Sequence, residues 1–230
     1  MTRSSVSATR RRAAKRGRAP FLVVAGVVAA VLVALLVALA AGGGNGDDSA
    51  TDAGGRSGDA ATTGTVTASG DPLPQFTDST DDPSVGMTMP SLTGNDQSGD
   101  PMTIGADGRP TMIMFVAHWC PHCQREVPVV QQWVDDGRLP EAVDLVSVST
   151  AIDANRPNYP PDAWFADEGW TAPVLVDGDN TAAQAAGLPA YPFFVAIDGD
   201  GAVVLRASGG LTTDQLDTIA STLVQGTPNQ

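Results

Sequence analysis

The chain has 230 residues and a formal net charge of −13, and its basic and acidic residues are separated along the sequence. Seven of the 13 basic residues lie in the first 20 positions, and the other six stand against all 26 acids, which leaves a net charge of −20 after residue 20. We therefore expect no nucleic-acid partner for this acidic part, because phosphate backbones are bound by clustered Lys and Arg.

An uncharged apolar segment follows the basic tail. Residues 1–20 are predicted to be a cytoplasmic tail, and residues 21–41 carry no charge. As a helix the segment is roughly 32 Å long, enough to cross a hydrocarbon core of about 30 Å. The basic flank then predicts a single-pass protein of the cell membrane, anchored through 21–41, with the rest of the chain extracytoplasmic. The alternative is a signal peptide cleaved after Ala38-Leu39-Ala40, although such apolar regions end at about 15 residues.

The composition then predicts one linker and one folded domain. Residues 42–84 are rich in Gly, Ser, Thr, Ala and Asp, and we expect them to be a disordered linker. Residues 85–230 have a common size for a single domain.

Apolar runs and helix signals predict the elements of this domain in chain order. They are a strand at 111–116, a helix at 120–136 kinked by Pro128, a strand at 142–148, a short helix at 161–167, a strand at 173–176, a short helix at 180–186, a hairpin of strands at 193–197 and 202–205, and a last helix from 212 to about 224. Thr212 and Gln215 form a capping box at the start of that last helix. The order predicts an α/β sandwich with a central mixed β-sheet flanked by helices.

Cys120 and Cys123 are the only cysteines in the chain, and they lie just after the apolar run at 111–116. A strand that enters a helix through this turn places Cys120 at the helix N-terminus, where free N–H groups and the helix dipole stabilise a thiolate. The pair is therefore predicted to be redox-active, with Cys120 as the nucleophile and Cys123 as the resolving thiol. A purely structural disulfide is disfavoured, because so short a loop closes too little chain to stabilise the fold.

Four features occur in order along the domain: Trp119-Cys120-Pro121-His122-Cys123 after a strand, Glu126, Pro128, and Tyr191-Pro192 before a strand. This pattern resembles the thioredoxin superfamily, specifically the membrane-anchored TlpA/ResA-like thiol–disulfide oxidoreductases, with a DsbA-like Cys-Pro-His-Cys motif. The resemblance implies a thioredoxin-like sandwich preceded by one transmembrane helix. It also implies client proteins with thiols or disulfides as partners, a membrane redox partner that recycles the cysteine pair, and no cofactor.

The motif and the resemblance assign roles to the residues around the cysteines. His122 is expected to stabilise the Cys120 thiolate by charge or hydrogen bond, and Glu126 to carry the proton of Cys123. An ordinary exposed helix acid is the alternative for Glu126.

Four further residues are predicted to shape the surface that receives the client: Trp119, Pro121, Tyr191 and Pro192. By resemblance, Pro192 lies in a cis-proline loop beside Cys120. His118 is assigned to a variable rim rather than to catalysis.

Two features of the sequence indicate opposite directions of disulfide exchange. Pro121-His122 places a potential cation beside Cys120, which predicts an oxidant, because a stabilised thiolate stabilises the reduced pair. Glu126 and the compact core resemble reductive relatives, such as those of cytochrome c maturation, so disulfide reduction is the alternative. A copper-binding thiol module is the alternative from another functional class. We expect no metal site, because both histidines, His118 and His122, lie beside the cysteines and leave no distant third ligand.

Overall fold

The computed structural model of the protein describes residues 64–226. The predicted tail, the predicted anchor at 21–41 and residues 42–63 of the predicted linker lie outside these described residues. Within 64–226, no helix is both long enough and apolar enough to cross a membrane.

Strands and helices alternate through most of the described part. The elements are β1 (Thr67–Ser69), β2 (Ser91–Asn95), β3 (Pro101–Ile104), β4 (Thr111–Val116), α1 (Pro121–Asp135), β5 (Asp144–Thr150), α2 (Pro161–Asp167), β6 (Val174–Asp177), α3 (Thr181–Ala185), β7 (Phe193–Ile197), β8 (Val203–Ser208) and α4 (Thr213–Gln225).

A mixed five-stranded sheet forms the centre of the fold, with strand order β6-β5-β4-β7-β8. β4 pairs in parallel with β5, and β5 in parallel with β6, whereas β4–β7 and β7–β8 are antiparallel. A smaller antiparallel sheet has the order β1-β2-β3. The predicted α/β fold with a central mixed sheet is therefore confirmed.

The central strand β4 is buried along its whole length, which explains its continuous apolar sequence. Its side chains alternate between two apolar clusters, one on each face of the sheet. Met112 and Met114 face the cluster that contains Trp133 of α1 and Leu216 of α4. The other cluster joins the second face to β2 and to the segment before it. β4 is thus held on both faces, and its C-terminal end is a rigid support for the turn that follows.

Most element predictions after residue 110 are confirmed, including the capping box of Thr212 and Gln215. Two differ in detail. β5 lies two residues later than predicted, at 144–150, and α1 continues as one helix from Pro121 to Asp135 through Pro128 rather than being interrupted there. The strands β2 and β3 were not predicted, because their Thr, Gly and Asn residues carry no clear apolar alternation.

The predicted linker is wrong for its last part, since residues 64–84 belong to the folded domain. They contain β1, and the side chains of Val66, Leu73 and Phe76 are buried. The Leu73 N–H donates to the Ala185 carbonyl (2.9 Å). These few apolar residues are widely spaced, so their pattern indicates neither a helix nor a strand, and contacts such as that of Leu73 with Ala185 join residues more than 100 positions apart.

An ion pair also holds this segment against β8. Arg206 binds Asp82 through two nitrogens (2.6 and 2.8 Å), and neither side chain is accessible to solvent beyond 1%. The remaining Arg206 nitrogen donates to the carbonyls of Pro74 and Ala186, both at 2.9 Å. The segment is therefore fixed by a buried guanidinium whose three nitrogens all donate hydrogen bonds.

Candidate active site

The cysteine pair lies in the turn between β4 and α1, as predicted. Cys120 is the N-cap residue of α1 in extended conformation, and Pro121 occupies the first helical position, which suits a residue without an N–H. Both cysteines are free thiols. The side chain of Cys120 retains 7% exposure and that of Cys123 none, so only Cys120 can meet another protein. Burial raises the pKa of the Cys123 thiol strongly, and the nearby charge of Glu126 raises it further.

The loop before β7 faces the exposed sulfur. The Tyr191–Pro192 peptide bond is cis, which confirms the expectation for this loop. The Cys120 thiol donates to the Tyr191 carbonyl at an Sγ···O distance of 3.7 Å. The ring of Trp119 meets the Tyr191 ring edge-on, with centroids 6.3 Å apart. The structure thus brings Trp119, Tyr191 and Pro192 together at Cys120, although they are separated by about 70 residues in sequence.

Glu126 lies on the inner side of α1 and is buried, so the alternative of an ordinary exposed helix acid is wrong. Burial raises the pKa of its carboxyl group, and the hydrogen bond from the Leu211 N–H to Oε1 (2.7 Å) offsets part of that rise. Gly210 leaves room for Oε2, because a Cβ there would lie 2.5 Å from that oxygen. A buried carboxyl group with a raised pKa, near a buried thiol, is suited to accept and return a proton.

His118 is fully buried, so its predicted place on the rim is wrong. Nδ1 lies 2.7 Å from the Pro157 carbonyl, and the Asp153 N–H donates to Nε2 (3.2 Å). The ring is therefore neutral, with its proton on Nδ1. Burial lowers the pKa of His118, and the Pro157 hydrogen bond and the Asp153 charge counter this only in part. Through these two hydrogen bonds His118 holds the loop at 151–160 against the cysteine turn.

That loop supplies residues that sequence reasoning missed. The Trp119 indole N–H donates to the Ala151 carbonyl (2.7 Å), and the Arg156 guanidinium lies 4.3 Å from the centroid of the indole ring. Asn158 donates to the His118 carbonyl (3.2 Å). No spacing in the sequence connects these residues to the cysteine motif, because the loop is brought there by the parallel pairing of β4 with β5.

His122 is exposed on the first turn of α1 and pairs with Arg125, one turn further on. An Arg125 guanidinium N–H donates to His122 Nδ1 at 2.9 Å. Because Arg has no acceptor, Nδ1 of His122 is the acceptor of this hydrogen bond. Arg125 was also missed, although its spacing of three residues from His122 is the helical signal that could have indicated the pair.

Among residues 64–226, no group of three His, Cys, Asp or Glu side chains is arranged to hold a metal ion. Both ring nitrogens of His118 are engaged in hydrogen bonds, and Met89 is buried in the apolar core. No observation in the described part of the chain therefore favours the copper-binding alternative.

Comparisons with known proteins agree with this geometry. The family model described as Redoxin matches residues 68–223. A curated relative, the thiol-disulfide oxidoreductase ResA of Halalkalibacterium halodurans, is 22% identical over 111 residues, which span 48% of this chain and 60% of the relative.

Solved structures show the fold. StoA from Bacillus subtilis aligns with a TM-score of 0.50 and 21% identity, over 60% of this chain and 98% of its own. A DsbF homologue from Corynebacterium diphtheriae aligns with a TM-score of 0.53 and 18% identity, over 66% of this chain and 99% of its own. These likenesses establish a thioredoxin-like fold, and because the family model covers more than half of the sequence, the chain belongs to the Redoxin family.

Proposed function

We propose that the protein is a thiol–disulfide oxidoreductase that exchanges disulfides with client proteins through Cys120 and Cys123. One observation carries this proposal. A free thiol that is partly accessible caps the N-terminus of α1, beside a second, fully buried thiol and the Tyr191 carbonyl. A sulfur in this position is activated by the unpaired N–H groups of the first helical turn.

The two thiols divide the reaction between them. The Cys120 thiolate attacks one sulfur of a client disulfide, so that a Cys120–client disulfide forms and the other client sulfur leaves as a thiolate and takes up a proton. Cys123 then gives its proton to the Glu126 carboxylate and attacks Cys120 Sγ, which releases the second client sulfur. The client disulfide has gained two electrons and two protons, and the cysteine pair has become a disulfide. A membrane redox partner would return the pair to the dithiol.

The loop at Tyr191 offers a place for the client backbone. Within the described part of the chain, no backbone hydrogen bond uses the Tyr191 N–H. An extended client segment could pair with this backbone as an added strand. The exposed ring of Pro121 and the half-buried rings of Trp119 and Tyr191 surround the sulfur and would contact client side chains. These residues therefore form the proposed client surface.

For the direction of exchange we propose reduction of clients. The prediction of an oxidant depends on a cation at His122, whereas that ring accepts a hydrogen bond from Arg125. Burial keeps Cys123 in the thiol form, so only one sulfur of the reduced pair is open to ionisation. A pair with less thiolate stabilisation has a less oxidising disulfide.

The reduction potential of the Cys120–Cys123 pair tests this direction. We expect a value near about −270 mV, as in thioredoxin, rather than near about −120 mV, as in DsbA, from equilibration with dithiol buffers. Because His122 Nδ1 accepts its hydrogen bond from Arg125, His122→Pro is expected to change the potential by less than about 30 mV. A wild-type value near that of DsbA, or a much larger shift toward reducing potentials in the variant, would instead support the prediction that the protein oxidises its clients.

We further propose that residues 21–41 anchor the protein in the cell membrane with residues 64–226 on the extracytoplasmic side. Protease added to intact cells should then remove the domain and leave the basic tail protected. Replacement of the basic residues between 10 and 18 by Gln should reduce the fraction of the protein whose domain is cleaved by the protease, because the positive flank sets the orientation. Recovery of a soluble protein that begins near Ala41 would instead identify the segment as a cleaved signal peptide.

A further inference from the structure

The arginines of the described part differ in how their charge is compensated. Four of the five form ion pairs with Asp residues: Arg109 with Asp144, Arg138 with Asp217, Arg156 with Asp153, and Arg206 with Asp82. Arg125 forms no ion pair with any residue in 64–226, and its only side-chain partner there is His122. Among the arginines of residues 64–226, the one without a carboxylate partner thus lies beside the cysteine motif.

The start of α1 also carries no exposed acidic side chain beside this arginine. The first turn of α1 contains no acid, although helix N-termini favour Asp and Glu. The nearest acid in sequence, Glu126, is buried and bound to the Leu211 N–H. The positive end of the helix, the exposed His122 and Arg125 therefore form one region without a negative charge of its own.

A second guanidinium lies on the other side of the motif. Arg156 lies over the Trp119 ring, and its ion pair with Asp153 is long (3.7 Å) with both side chains about half exposed. Such a pair is held weakly, so Arg156 can exchange Asp153 for another carboxylate. The client surface around Cys120 is thus bordered by Arg125 on α1 and by Arg156 on the loop at 151–160.

We infer that Arg125, assisted by Arg156, selects client segments that carry a carboxylate next to the reacting cysteine. The inference rests on the proposed function and adds the class of client. At physiological ionic strength charges interact over about 8 Å, so Arg125, which contacts His122 of the cysteine motif, is expected to act on client residues that bind beside this motif. Charges at the border of an interface act mainly on the rate of association.

Three synthetic peptides, each closed by one disulfide, test this selection. They differ only at the two residues that flank one cysteine, which are Glu, Gln or Lys. The rate constant for reduction of each peptide by the reduced full chain is divided by its rate constant with mercaptoethanol, which removes intrinsic differences between the disulfides. At 0.15 M salt we expect the normalised rates to fall in the order Glu, Gln, Lys, with Glu about fivefold faster than Gln. At 1 M salt the ratio should approach one.

Matched variants separate Arg125 from general charge effects. Arg125→Gln should reduce the Glu/Gln ratio to below about twofold. Arg109→Gln makes the same change of charge at the opposite end of β4, where Arg109 pairs with Asp144, and should leave the ratio unchanged.

Each outcome separates this inference from the function on which it rests. Equal normalised rates for the three peptides, or a ratio that survives in Arg125→Gln, would overturn the selection and leave the oxidoreductase intact. Failure of the wild-type chain to reduce any of the peptides would overturn the proposed function and the selection together.

Discussion

A Cys123→Ala variant is expected to accumulate a disulfide between Cys120 and its client proteins. Cys120 is the accessible sulfur, so its attack on a client survives the substitution, whereas the attack that releases the client is lost. The resolving thiol lies one helical turn away, and a positioned intramolecular nucleophile has an effective concentration far above that of external thiols. We therefore expect release to slow by at least about hundredfold.

The trapped species can be measured on non-reducing gels after the cells are quenched with acid and alkylated. Cys120→Ala is the matched control, since it keeps one thiol but leaves only the buried one, and it should trap nothing. The double variant should also trap nothing. Clients trapped through Cys123 in Cys120→Ala, and none in Cys123→Ala, would reverse the roles of the two sulfurs.

Replacement of Arg206 by Met is expected to cost about 3–5 kcal/mol of unfolding free energy, because the carboxylate of Asp82 would remain buried without its partner. Asp82→Asn should cost a similar amount of unfolding free energy, because the Arg206 guanidinium would then remain buried without a carboxylate. The double variant Asp82→Leu/Arg206→Met should recover part of the loss, since an apolar pair can replace a buried ion pair. Arg109→Met is the control, because its ion pair with Asp144 is exposed and contributes about 0–1 kcal/mol.

Urea unfolding of the full chain, followed by Trp fluorescence, measures these differences. A loss below 1 kcal/mol in Arg206→Met would show that residues 64–84 do not depend on this ion pair. The pH dependence gives a second check. Burial tends to raise the pKa of Asp82, but the Arg206 hydrogen bonds outweigh it, so its pKa lies below the usual 3.8. The contribution of the pair should therefore be complete above about pH 4 and be lost as the pH falls through the lowered pKa.

The sequence predicts those parts of the fold in which local patterns carry the information. The apolar run of β4, the capping box of α4 and the Asp198–Gly201 turn between β7 and β8 each specify an element within a few residues. The cysteine motif and Pro192 were placed together correctly, because a known motif links them. These predictions therefore depend either on neighbouring residues or on a motif whose separate parts are recognised together.

The rest depends on contacts that have no local pattern. His118 looks like a surface residue in the sequence, yet its two nitrogens are satisfied by backbone groups of Pro157 and Asp153, more than 30 residues away. Arg206 stands in an ordinary edge strand, and only the position of Asp82 explains why it is buried. In both cases a polar residue is buried because distant partners satisfy it, and single-sequence periodicity does not detect such partners.

The position of Asp82 along the chain also sets the order in which the two residues of the buried ion pair are synthesised. Its partner is 124 residues further on, so the segment that contains Leu73 and Phe76 is synthesised long before the strand that fixes it. At about 5–20 residues per second, that interval is about 6–25 s. During this time the side chains of Leu73 and Phe76 lack part of the surface that buries them in the folded domain. The ion pair that fixes the earliest part of the domain is therefore completed only once β8 has been made, when α4 alone of the helices and strands remains to be synthesised.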